Sequence, residues 1–485
     1  MKGVSLKVNA IMNALLTISS VIFPLVTFPY VSRILMPSGT GKVSLATSVI
    51  QYFNMFAQLG IPTYGITACA RARDDRMELS RITHELFAIS IATSLVSYFV
   101  LALSLLFVPR FNREKGLYIV ISFTIFLTAI GMEWMYKGLE QYKYITIRSI
   151  TFKLISIAAM FLLIHNEKDY VIYGGITVFA SSGSLVMNFI NAKKYIYMKP
   201  VGGYHAARHL KPILVFFAMA CATTIYVNLD SVMLGFMKGD EEVAFYNVAV
   251  KVRTLLLHVV TSLGAVLLPR TTYYIEHKLY DEFYKIGRKI IHFVILLSVP
   301  LFFYFVLFAE DAVLILAGKQ YLSAVIPMQI VMTTLLFAGI SNITGIQMLI
   351  PLGKEKIVLY SEIAGAFVDL CLNAVLIPRL ASVGAAIGTL VAEMVVLVFQ
   401  YLALQDKLSA IFKSISYFKI IISLAASSIL TLLAGGLIPN TIIRFCVTGV
   451  LFFCVYGGML LLTREKTALD VVTPIYEKIF RRRLK

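Results

Sequence analysis

The chain has 485 residues, of which 59% are hydrophobic and only 14% charged, and its mean hydropathy is +0.82. An ordinary soluble domain is about 45–50% apolar and about 25% charged, so the composition excludes one and describes an integral membrane protein. The formal charge of +18 fits either a nucleic-acid surface or the basic cytoplasmic loops of a membrane protein, and the order of the loops separates the two.

Fourteen apolar runs follow one another, over residues 9–36, 41–70, 82–108, 116–136, 145–164, 170–192, 212–236, 243–268, 289–309, 323–350, 357–377, 382–404, 417–437 and 440–462. Each is near the ~20 residues a helix needs to cross a bilayer. Strands of a closed barrel would give weaker alternating segments of about 10 residues. The first run follows the mildly basic start MKGVSLKVNAIM with no small-residue cleavage site, so it reads as a span and not as a removed signal peptide. The fold class is all-α and polytopic, with about 14 transmembrane helices.

Of the 44 Lys and Arg, three stand apart from the count by side: Arg33, Lys251 and Arg253. With the N-terminus inside, thirty-two of the rest fall on inner segments. These begin with Lys2 and Lys7, pass through Arg71, Arg73, Arg76 and Arg81, and end in the tail from Arg464 to Lys485. Nine fall on outer segments: Lys42, Arg110, Arg113, Lys115, Lys168, Lys238, Lys319, Arg379 and Arg444. This positive-inside alternation accounts for the charge without nucleic acid and puts both termini in the cytoplasm.

No connection exceeds about twenty residues. Short outer loops argue against a membrane sugar polymerase or ligase, which needs an extracytoplasmic site. Gly39-Thr40-Gly41-Lys42-Val43 resembles a phosphate loop but has Met36 in place of the first glycine and no hydroxyl after the lysine, so it is rejected as an ATP site. The cysteines Cys69, Cys221, Cys371, Cys446 and Cys454 lie in apolar runs without ligand spacing and read as small buried apolar residues. No catalytic residue, metal site or cofactor is expected. Transport by such a chain would use an ion gradient or run downhill.

Gly41-Lys42-Val43-Ser44-Leu45-Ala46 after the first run and Ala244-Phe245-Tyr246-Asn247-Val248-Ala249 after the seventh each open a run that ends in a basic inner segment, at Arg71 and Arg270. The resulting division is an N-lobe over 1–210, a C-lobe over 211–406, spans 13 and 14 over 407–463, and a basic cytoplasmic tail over 464–485. Six spans per half is even, so both halves insert alike, related by an axis along the membrane normal.

The order FPYVSRIL (28–35), a turn with Gly41, Gln58-Leu59-Gly60-Ile61-Pro62-Thr63-Tyr64-Gly65, Glu133-Trp134, Gly138-Leu139-Glu140, Asp230-Ser231-Val232-Met233-Leu234-Gly235 and Tyr246 resembles the polysaccharide-repeat flippases (O-antigen, capsule, exopolysaccharide). These belong to the multidrug/oligosaccharidyl-lipid/polysaccharide exporter superfamily, and the resemblance covers nearly the whole chain. It implies two six-helix lobes around a central cationic cavity, plus two extra C-terminal helices. It also implies alternating access, carrying undecaprenyl-diphosphate-linked sugar units from the inner to the outer leaflet of a bacterial cytoplasmic membrane. H⁺ or Na⁺ would be the coupling ion, a monomer the transport unit, and a polysaccharide polymerase and chain-length proteins the partners.

A diphosphate with a sugar chain needs a hydrated, cationic cavity, and the planar fork of arginine can bind two phosphate oxygens at once. Arg33 sits near the outer end of span 1, and Lys251 and Arg253 in the outer half of span 8. Residues two apart point about 200° apart on a helix, so at most one of that pair faces the cavity squarely, and Arg253 is favoured. The alternative for all three is snorkelling to the outer headgroups. Lys153, in the inner half of span 5, either meets the diphosphate or anchors the interface. Gln51, Asn54 and Gln58 recur at helical spacing, where amides suit sugar hydroxyls and equally join helices. Tyr30, beside Arg33, is the candidate for sugar stacking.

Among the acids, Glu362 and Asp369, with Asn373, share one face of span 11 within about 20–40°. Such a stripe takes up a proton, holds Na⁺, or pairs with a neighbouring helix. Glu393 in span 12 carries the same readings. Asp230 shares a face with Tyr226 and Thr223 and is expected to pair with Arg33 or Arg253. Glu133, near the inner end of span 4, is a coupling or interfacial residue. Three runner-up functions remain. One is a multidrug or cation antiporter, whose cavity would be acidic or apolar. The others are a peptidoglycan-precursor flippase and a membrane polysaccharide polymerase or ligase.

Overall fold

The computed structural model describes residues 6–470, and every element among them is helical. Lys2, Lys478, Arg481, Arg482, Arg483 and Lys485, on which part of the inner-charge reading rests, lie outside the described residues. Among the described residues, twelve helices are long and apolar enough to cross a bilayer. One of them, Ile11–Arg71, contains two of the expected spans, and the shorter apolar helix Lys115–Gly131 supplies one more. Split in that way, the segments number fourteen and keep the expected order.

The first division has a local cause. Met36 (φ 58°, ψ 174°) interrupts the helix Leu6–Gln58, and a residue that precedes a proline, here Pro37, is disfavoured in the helical region. No loop is unwound, so the near-phosphate-loop Gly39–Lys42 lies inside a helix.

Two further breaks interrupt spans that the sequence reads as continuous. Leu59 (φ 45°) and Gly60 (φ 75°) separate Gln58 from the helix Ile61–Arg71. A Cβ on Gly60 would lie 2.5 Å from the Phe217 nitrogen and 2.7 Å from the Ile213 carbonyl oxygen, so a glycine permits both the turn and the approach of the helix Ala207–Met237. Met132 (φ 41°) separates Lys115–Gly131 from the short helix Glu133–Gly138. The two short helices then pack on each other. A Cβ on Gly65 would be 2.7 Å from the Trp134 ring, and one on Gly138 would be 2.8 Å from the Ile66 carbonyl oxygen. Two motif stretches far apart in sequence thus form one buried core with Leu79, Leu86, Met135 and Tyr136.

The chain divides into two compact units, Met1–Ala244 and Phe245–Lys485. The helix Ala207–Met237, which the repeat assigns to the second half, is packed within the first. In the second unit, Glu355–Leu380 and Ser382–Ala403 approach so closely that a Cβ on Gly388 would be 2.5 Å from Asn373 Oδ1 and 2.8 Å from Asp369 Oδ1. Small residues permit such approach in membranes, where dispersion packing and interhelical hydrogen bonds replace the hydrophobic effect. Thr441–Leu462 is held to Ala309–Leu316 by a two-bond ion pair of Arg444 with Asp311.

The cysteines correct one expectation. Cys69 is buried, but Cys371, Cys446 and Cys454 are exposed. A small apolar side chain is as well placed against lipid as in a core, so apolar surroundings in sequence do not imply burial.

Candidate functional site

In the first unit the expected substrate residues fall into two groups. Arg33 is exposed, and its Nη1 donates to the Pro29 carbonyl one turn back along the helix. Its guanidinium stays at the surface. The other group is engaged in holding helices together. Tyr30 donates its hydroxyl to the Ile164 carbonyl at 2.8 Å and tilts its ring on Phe161, 4.6 Å between centroids. Lys153 donates to Ser19 Oγ at 3.0 Å and Ser20 Oγ at 2.8 Å, joining the fifth span to the first. Gln58 donates to Thr128 Oγ1 at 3.1 Å, and Thr128 donates to Asn54 Oδ1 at 2.8 Å, so these two amides join helices. Gln51, one turn earlier, is half-buried. Asp230 is buried on the helix Ala207–Met237. Glu133 is ion-paired with Lys137 at 2.9 Å and Arg148 at 2.8 Å.

In the second unit the structure brings three of the expected residues together. Arg253 forms an ion pair with Glu393, with side chains 14% and 8% exposed. Arg253 thus takes a carboxylate from its own unit. Glu362, half-buried on the adjacent helix, lies within electrostatic reach of Glu393. Asp369 and Asn373 are buried on the same helix as Glu362, with their oxygens against Gly388. Lys251, two residues before Arg253, is half-buried. A fourth contact escaped the sequence reading: Tyr246 and Thr389 share a hydrogen bond of 2.8 Å between their hydroxyls. A signal for it existed. Tyr246 and Arg253 are seven apart, and Thr389 and Glu393 four apart, so each pair occupies one face of its helix. Chemically, this is a buried guanidinium and two nearby carboxylates on helices long and apolar enough to cross a bilayer. Such groups in a span are costly and mark ion or substrate pathways.

Two polar clusters near the ends of the first unit also went unread, because their members look like loop charges. At one end Lys42 pairs with Glu114 at 2.7 Å, Tyr170 donates to Glu114 at 2.7 Å, and Arg110 pairs with Asp240 at 2.6 Å. Lys42, Arg110, Arg113, Glu114 and Asp240 line a cavity of about 230 Å³ there. At the other end buried Glu85 accepts from the His205 backbone N–H at 2.6 Å, from Arg208 at 2.8 and 3.1 Å, and shares a 2.7 Å hydrogen bond with His209 Nε2. His209 Nδ1 is 2.7 Å from the Tyr64 hydroxyl.

The fold has known relatives. The structure matches a lipid II flippase, MurJ, in an inward closed conformation, with a TM-score of 0.68 and 13% identity over 94% of this chain and 99% of that one. It matches an inward-facing multidrug resistance transporter of the MATE family and MOP superfamily with a TM-score of 0.60 and 13% identity, over 82% of this chain and 96% of that one. At these identities the likeness is one of fold. In sequence, a protein of Escherichia coli (strain K12) that bears the name of an O-antigen transporter is 25% identical over 396 residues, covering 81% of this chain and 95% of its own. The MatE family's sequence model matches residues 215–375. That of the polysaccharide biosynthesis proteins matches residues 6–274, more than half the chain. The protein is therefore a multi-pass membrane protein of the polysaccharide biosynthesis protein family.

Proposed function

We propose that this protein is a flippase that moves undecaprenyl-diphosphate-linked oligosaccharide repeat units from the inner to the outer leaflet of a bacterial cytoplasmic membrane, by alternating access, for surface polysaccharide synthesis. The observation that carries the reading is the family match over residues 6–274, joined to an O-antigen transporter's name on a relative aligned along 81% of the chain. The relatives bear transporter names, which supports a transporter and not an enzyme. Both termini face the cytoplasm.

In this reading Arg33, exposed in the first unit, and Arg253 in the second receive the diphosphate. Arginine at membrane depth suits an anionic substrate better than a cationic drug, which weighs against the antiporter alternative. The carboxylates Glu362, Glu393, Asp369 and Asp230 are the coupling groups, with H⁺ or Na⁺ as the ion. Arrival of a phosphate at Arg253 loosens its pair with Glu393, and the released carboxylate takes up the ion. This couples substrate to gradient through one ion pair. The product is then passed to a polymerase and its chain-length partners.

Depletion tests the function. Outer-leaflet sugar is labelled on intact cells and compared with lysed cells. Accumulation of lipid-linked saccharide in the inner leaflet alone is the expected result. Normal outer display without polymer would point to polymerisation or ligation, and normal polymer with new drug sensitivity to an antiporter.

A further inference from the structure

We infer that Arg148, with Lys137 and Lys153, forms a phosphate-binding site in the first unit, in which Glu133 is the resident counter-ion that an incoming phosphate replaces. Arg148 stands near the start of the helix Tyr142–Leu163, and its side chain is only 3% exposed. Its Nη2 donates to Glu133 Oε2 at 2.8 Å. Its Nε and Nη1 are equally buried and have no hydrogen-bond partner. A guanidinium carries five N–H donors and no acceptor, and buried donors left unmade destabilise the fold. A lysine or glutamine would hold Glu133 while stranding fewer donors. The surplus donors of an arginine suit a ligand rich in acceptor oxygens.

The charges point the same way. Glu133 is shared by Arg148 and, at 2.9 Å, by Lys137. Lys153, held by the Ser19 and Ser20 hydroxyls, lies within electrostatic reach of the same carboxylate. One carboxylate therefore faces three cations, an excess of two positive charges in a largely buried place. A phosphate or diphosphate matches that excess and presents more acceptor oxygens than Glu133 does. Access is graded: Glu133 and Lys137 are 32% and 34% exposed, and Arg148 lies beneath them. An anion meets Lys137 first, displaces Glu133, and then reaches the uncommitted nitrogens of Arg148. Read with the proposed flippase, whose substrate class this deepens, the site collects the diphosphate on the cytoplasmic side before transfer toward Arg33 and Arg253.

The test is binding, not transport, so it stands or falls apart from the flippase reading. Full-length protein in phosphatidylcholine nanodiscs is titrated with inorganic pyrophosphate and, separately, with a short-chain polyprenyl diphosphate. Saturable binding is expected, weakened at least tenfold in Arg148→Gln. Glu133→Gln, which removes the competing carboxylate but keeps a hydrogen bond to Arg148, should bind several-fold more tightly. A purely structural ion pair would not produce that gain. Competition between the two ligands assigns the site to a lipid-linked diphosphate, and binding of pyrophosphate alone assigns it to a soluble phosphate. Absent wild-type binding, equal affinity in Arg148→Gln, or weaker binding in Glu133→Gln overturns the proposal. Depletion without accumulation of inner-leaflet saccharide, alongside intact pyrophosphate binding, would overturn the flippase reading alone.

Discussion

Glu85→Ala removes the acceptor at the centre of the cluster that ties residues 205–209 to the helix Arg76–Phe107. The buried carboxylate accepts from the His205 N–H and from two Arg208 nitrogens, and it bonds His209 Nε2, all within 2.6–3.1 Å. Removing one partner of a buried ion pair costs about 3–5 kcal/mol. Arg208 is 40% exposed and keeps Glu78 at 3.0 Å, so its share is screened by water and partly retained. The lower end, about 3 kcal/mol, is therefore expected. At about 2–4 °C per kcal/mol for a unit of this size, the unfolding midpoint should fall by roughly 6–12 °C. The assay is thermal unfolding of purified protein in detergent, read by the single tryptophan, Trp134, which packs on Gly65 in the same unit. Tyr64→Phe, which removes one neutral hydrogen bond from His209, should cost only about 0.5–1.5 kcal/mol. A fall of less than about 2 °C in Glu85→Ala would refute the reasoning, because the cluster would then be held by packing and not by the carboxylate.

Arg33→Ala should abolish outer-leaflet display of lipid-linked saccharide, and unchanged display would contradict its assignment to the diphosphate. Arg253→Ala leaves Glu393 buried without the guanidinium it pairs with and should destabilise by about 3–5 kcal/mol. Adding Glu393→Ala should recover most of that stability but not transport, which separates structural from functional roles in one double-mutant cycle. Gly60→Ala should destabilise by about 2 kcal/mol or more, because the methyl meets backbone atoms at 2.5–2.7 Å in a left-handed conformation; unchanged unfolding would contradict the close approach. Asn54→Ala should leave substrate selectivity unchanged and cost about 0.6 kcal/mol, the mean for interhelical hydrogen bonds in membranes, and an altered sugar preference would restore the sugar-binding role.

Much of this protein was legible in its sequence because the bilayer makes hydropathy a local signal. Every backbone polar group in lipid must be bonded within its own segment, so the apolar runs alone determined an all-helical chain, the number and order of the spans, and the break before Pro37. Charge content likewise marked Arg33, Lys251, Arg253, Glu362, Asp369 and Glu393 as exceptional, since a charge at membrane depth needs a reason wherever it lies. Partnership was not legible. The breaks at Leu59-Gly60 and Met132 arise where Gly60 meets the helix Ala207–Met237 and Gly65 meets Trp134. Whether Asn54 and Gln58 face sugar or Thr128, and which carboxylate Arg253 takes 140 residues away, depended on helices brought together from distant parts of the chain. Glu85 and Arg148 were invisible for the same reason. Near a span end each reads as an interfacial charge, and only burial by other helices turns one into the centre of a hydrogen-bond cluster and the other into a guanidinium with donors to spare. The sequence states what each segment cannot do in lipid, whereas tertiary packing decides which polar groups meet, because that choice belongs to pairs of helices and to no single one.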